Sequence, residues 1–171
     1  MSHRPTLAAP AFPDDDGAVD PGLAEALEGY ARDQVLPPVL AALHGVRLLI
    51  PVIALLLDIP SGGDKDSEMA AVLMTGADGR KALLAFSSLE SMRRWDPQAR
   101  PVSVYARQAA EAAVDEDASA LLLDIAGPQF VVIETDDLHH LAKGHRIAET
   151  RVAAGPGGCQ DGGSARYAWL Q

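Results

Sequence analysis

His139, His140 and His145 sit close together and are the first residues whose type could hold a metal. Two imidazoles ligate one ion from a helix when they stand four positions apart and a third ligand joins them. No such pair occurs here, and adjacent His139 and His140 point about 100° apart on a helix. They read as solvated histidines near a helix C-terminus, where the dipole favours positive charge. Paired carboxylates could serve acid–base or magnesium chemistry: Asp64 with Asp66, Asp115 with Glu116 and Asp117, and Asp136 with Asp137. All fall in expected loops or helix starts, where Asp caps and solubilises. Asp124 differs because it ends an apolar strand; it reads first as a turn former and second as the carboxylate of a ligand site. Gly62-Gly63 precedes acidic residues and a strand, so it makes no phosphate cradle. No Gly-x-Ser-x-Gly elbow is present, and the single thiol, Cys159, lies in a Gly-rich stretch. No catalytic residue, cofactor ligand or metal ligand is therefore assigned.

Another kind of chemistry remains, recognition by charge and aromatic surface. Six of the fourteen Lys and Arg residues fall between Arg80 and Arg107, a local reversal of sign in a chain of net charge −10. Within that span Arg93-Arg94-Trp95 joins Arg80 and Arg100, and Arg and Trp are enriched at interface hot spots. Arg80, Arg93, Arg94, Trp95 and Arg100 are the expected interaction surface. The competing reading has Trp95 covering a sheet end while the arginines neutralise nearby carboxylates.

Positioning those residues falls to a series of short elements. Asp20-Pro21 caps a first helix carrying Leu23, Leu27, Tyr30 and Ala31 on one face, and Pro37-Pro38 opens a second that stops at Gly45. Val46 to Leu57 is a continuously apolar strand, and its Pro51 argues for a bulge or an edge. Ser61 to Ser67 is a polar loop. Met69 to Thr75 and Lys81 to Phe86 form a hairpin through Asp78-Gly79. Ser87 with Glu90 forms a capping box for a helix that Asp96-Pro97 ends. Val102 to Val104 is a brief strand, and Ala106, Ala109, Ala110, Ala113 and Val114 repeat at helical spacing. Leu121 to Ile125 and Phe130 to Ile133 bracket Gly127-Pro128 as a second hairpin. A last helix runs from Asp136 to Gly144. The expected fold is α+β: a single mixed or antiparallel sheet with hairpins, packed by short helices and preceded by an N-terminal helical segment.

The 171 residues suffice for one domain with a core. Residues 1–20 and 150–171 read as disordered, loosely attached tails around a domain at 21–149, although Tyr167, Trp169 and Leu170 are apolar for a tail. An acidic body disfavours nucleic acid and anionic membrane. The longest apolar run is far below the ~20 residues that span a bilayer. With no secretory leader expected and one thiol, a cytoplasmic location follows.

RLLIPV at 47–52, EMAAVLMTGADGRKALLAFSSLESMRRWDPQARPV at 68–102 and ALLLDIAGPQFVV at 120–132 resemble the N-terminal domain of the SseB family, small bacterial proteins found widely in actinobacteria. The likeness spans about residues 45–143. It implies no agreed catalytic residues, and none is carried over. The reading that follows is a non-catalytic, cytoplasmic protein-interaction module. The alternative is a small-molecule binder or an unrecognised enzyme using an acidic cleft near Asp124. A homodimer through the strand edge near Pro51 is a third expectation.

Overall fold

The computed structural model describes residues 12–55, 68–128, 130–151 and 165–170. The chain begins with helices α1 (Pro21–Asp33) and α2 (Pro37–Ala42), then strands β1 (Arg47–Leu55), β2 (Glu68–Ala71), β3 (Leu73–Thr75) and β4 (Lys81–Ala85). Helix α3 (Leu89–Trp95), strand β5 (Arg100–Tyr105), helix α4 (Ala106–Asp115) and strands β6 (Ala120–Leu123) and β7 (Val131–Glu134) follow. Helix α5 (Thr135–Ala142) and strands β8 (Arg146–Arg151) and β9 (Ala165–Leu170) complete an α+β fold.

Local chemistry accounts for most of these boundaries. The Asp20 carboxylate accepts the N–H groups of Gly22 and Leu23 at 2.9 and 3.1 Å and so starts α1. Leu23 and Leu27 of that helix are buried and Tyr30 is half-buried, whereas Ala31 is exposed. Gly79 takes φ +82° in the β3–β4 turn, a conformation that suits a residue without Cβ. The alanines of α4, Ala106, Ala109, Ala110 and Ala113, are fully buried, and their small size lets the helix lie close to the sheet.

The strands fall into three ladders rather than the single sheet expected. β1 lies between β2 and β5, all antiparallel; the order β3-β4-β6-β7 forms a mixed sheet with β4 parallel to β6; and β8 pairs with β9. The chain expected as one strand from Met69 to Thr75 breaks at Val72. Its N–H bonds Pro51 O of β1 and its carbonyl accepts from Leu84 of β4, so this residue hands the chain from one sheet to the next. Reciprocal 2.8 Å bonds between Leu49 and Phe86 join the two sheets a second time.

Pro51 is not at an edge. β1 is the central strand of its sheet; the Pro51 carbonyl accepts the Val72 N–H, and the Val72 carbonyl, which has no Pro51 N–H to meet, accepts from Leu84 instead. The capping box also moves by one residue. Phe86 is still bonded to Leu49, which holds the strand through that residue; Ser88 becomes the N-cap of α3 and exchanges bonds with Ser91.

The parts of the tails that are described are packed. Arg47 bonds the carbonyls of Ala18 and Ser87 and pairs with Asp15 at 2.9 Å, while Ser103 Oγ donates to Asp15 at 2.8 Å. Burial works to raise the Asp15 pKa, but the bonds from Ser103, Gly17 and Arg47 outweigh it and hold the carboxyl below its usual range. Tyr167, Trp169 and Leu170, read from sequence as a loose end, instead lie in β9, and Trp169 packs against the main core. The expectations for residues 1–11, 56–67, 152–164 and Cys159 lie outside the described residues.

The main core lies between α1, α2, α4, α5 and one face of the mixed sheet, around Leu83, Leu121, Leu123 and Ile133. Each such side chain contributes about 1.5–3 kcal/mol by leaving water. A second cluster of Leu49, Leu84, Phe86 and Met92 sits on the opposite face.

Candidate functional site

Alternation along β4 sends Leu83 and Ala85 toward the helices and Ala82, Leu84 and Phe86 to the outer face. The ladders carry that outer face across the sheet. One row reads Met74, Ala82, Ala120, Glu134, and the next holds Leu84, Leu122 and Val132. Helix α3 covers one end of it. Met92 and Trp95 pack there with Phe86 and Leu84, the indole and phenyl centroids 5.6 Å apart.

At the other end no described element covers the face. A shallow groove of about 280 Å³ is lined by Met74, Ala82, Ala120, Leu122 and Val132, with Met74 40% exposed. The two alanines make its floor lower than the flanking Met and Leu. At the rim Arg80 bonds Asp78 at 2.6 Å and approaches Glu134 at 3.6 Å. The hydrogen bond from Arg80 lowers the Asp78 pKa, and the same pairing raises that of Arg80. Lys81 also lines the groove and has no acidic partner among the described residues.

The five residues expected to form one surface do not cluster. Arg80 and α3 lie at opposite ends of β4, whose five residues at about 3.3 Å each separate them by about 17 Å. Arg94 pairs with Glu90 one turn away, and Arg93 is exposed on the same helix. Arg100 is exposed at the start of β5, opposite Val52 in the other sheet. Trp95 is half-buried on Phe86. Arg80 and Trp95 thus bracket the open face. Its floor was not identified from sequence; the alternation of small and large residues in Lys81 to Phe86 was the available signal.

Asp124 is 5% exposed, and both its oxygens are engaged: Oδ1 accepts the Ser87 N–H at 2.9 Å and Oδ2 accepts the Ser87 hydroxyl at 2.6 Å. Its φ of +55° and the bond from Gly127 N–H to its carbonyl make it the turn former expected. A hollow of about 230 Å³ lies beside it, lined also by Glu28, Glu90 and Arg94. That arrangement ties the end of β6 to the start of α3.

His140 and His145 are half-buried rather than solvated. Their Nδ1 atoms lie 2.8 Å apart, so one proton is held between them, and His140 stacks on Trp169 at 8° and 4.9 Å. The Trp169 Nε1–H donates to Asp137 at 3.0 Å, fastening β9 to α5. The loop separating His140 from His145 folds back because Gly144 takes φ +72°. Among the described residues, no group of three or more His, Cys, Asp or Glu is placed to hold a metal, and no helix is long and apolar enough to cross a membrane.

No curated protein and no solved structure matches this chain. The family described as SseB protein N-terminal domain matches residues 23–140, a span that takes in both sheets, the second core and the open outer face. The chain belongs to the SseB N-terminal domain family.

Proposed function

We propose that this chain is a non-catalytic, cytoplasmic protein-interaction module that docks a partner on the open half of its outer sheet face. One observation carries the reading: among the described residues the mixed sheet is covered by helices on one side and on the other chiefly by α3 with its Trp95, leaving Met74, Ala82, Leu122 and Val132 partly in water. An apolar groove with a charged rim has the anatomy of a protein interface. The occupant is an amphipathic segment of a different protein, its apolar side on Ala82 and Ala120. Nucleic acid is a poor fit to a chain of net charge −10.

The test is site-specific photo-crosslinking from Ala82, with Ala112 on the exposed surface of α4 as control, followed by identification of the adduct. The reading predicts one protein captured from Ala82 and absent from Ala112. Adducts to a second copy of the chain, or the same products from both positions, contradict it.

A further inference from the structure

On the helical side of the molecule, away from the docking face, lies a cleft of about 490 Å³. That volume is in the range of small-molecule sites. Its floor includes Leu43 and Leu141, both buried. Its walls come from the residue before Gly45, the start of α4 and the turn into β8.

We infer that this cleft binds a small organic carboxylate. Arg107 is held ready for one. Its Nε donates to Glu111 at 2.9 Å and to the Ala142 carbonyl at 3.2 Å. Gly144 lies beneath it, where a Cβ would come 3.4 Å from Arg107 Cδ and 3.5 Å from Nη1. With Nε engaged, the two terminal nitrogens have no acceptor among the described residues and keep the planar fork that matches a carboxylate.

Two further lining groups, His44 and Gln108, offer donors. Arg146 Nε donates to His44 Nε2 at 3.0 Å, and because an arginine N–H can only donate, the neutral imidazole carries its proton on Nδ1. Gln108 Oε1 accepts the Tyr105 N–H at 3.0 Å, which leaves the amide NH₂ as a donor. His145 is oriented by its contact with His140. The one lining carboxylate, Glu111, is already paired with Arg107. Donors above an apolar floor select an acceptor-rich anion with a hydrocarbon body, and the fork selects a planar carboxylate over a tetrahedral anion.

The test is an amide NMR titration of the full chain with sodium benzoate at constant ionic strength, with inorganic phosphate as a second probe. Saturable shifts at His44, Arg107 and Gly144, with Kd of about 1 mM or tighter, are expected. Arg107→Leu should weaken benzoate by about tenfold or more, and Arg107→Lys, which keeps the charge but not the fork, by several-fold. Arg94→Leu should bind as wild type. Unsaturated shifts up to about 50 mM, well past the millimolar range, or unchanged affinity in a folded Arg107→Lys protein, overturn the site. Phosphate binding as tightly as benzoate overturns the carboxylate class.

Discussion

Replacing Asp124 separates a structural carboxylate from a functional one. In Asp124→Ala the Ser87 N–H and hydroxyl lose their acceptor in a place that is 5% exposed. A hydrogen bond to a charged group contributes about 1.5–3 kcal/mol. Alanine is also less at ease than Asp at φ +55°, a cost of about 1 kcal/mol. Allowing for relaxation between coupled terms, the loss should be about 3–5 kcal/mol, a large part of the ~5–15 kcal/mol that stabilises a typical domain. Asp124→Asn keeps an acceptor for the Ser87 N–H and tolerates the backbone, while its amide turns the Ser87 hydroxyl into an acceptor, so it should lose about 1–2 kcal/mol. Urea denaturation with an unchanged slope measures both. In a double-mutant cycle with Ser87→Ala, a coupling of about 1–2 kcal/mol is expected. If Asp124→Ala costs less than about 1 kcal/mol, or Asn costs as much as Ala, the clamp reasoning is refuted.

Asp15→Asn should lose about 1–2 kcal/mol at neutral pH. The wild-type carboxyl is held below its ordinary value of 3.8, so its contribution is present above that pH and fades as pH falls through the lower folded value; the stability gap between the two proteins should close there. Gly79→Ala should cost about 1 kcal/mol from the backbone alone, since no described residue lies within 4 Å of a Cβ there. Gly144→Ala should cost more and weaken benzoate binding, because its Cβ meets Arg107. Trp95→Ala should destabilise by about 2–4 kcal/mol through loss of its packing on Phe86, whereas Arg93→Glu and Arg100→Glu should change urea midpoints by less than about 0.5 kcal/mol.

Local signals were legible where the physics is local. Asp20-Pro21, Asp78-Gly79 and the alanines of α4 each specify a cap, a turn or a close approach within a few residues, and the structure bears them out. What depended on distant partners was not. Nothing near Val72 announces that its two backbone groups bond different strands. Ser87 and Ser88 are both good caps, and only the Leu49 bridge and Asp124 decide between them. Pro51 reads as an edge because Val72 and Leu84, whose bond leaves no acceptor waiting for a Pro51 N–H, lie far away in sequence. The positive stretch from Arg80 to Arg107 looks like a patch in one dimension, yet Asp78, Glu90, Glu111 and Glu134 neutralise three of its members and the sheet separates the rest. The C-terminal strand follows a Gly-rich stretch, and its attachment rests on Asp137 and His140 of α5.

The affinity of the partner captured at Ala82 is the most direct measure of the proposed role. Purified partner should bind Ala82→Glu at least about tenfold more weakly than wild type, a loss of about 1.4 kcal/mol, while Arg93→Glu and Arg107→Leu bind it normally. Equal affinity for Ala82→Glu and wild type, in proteins of matched thermal stability, would place the partner elsewhere and contradict docking on the open sheet face.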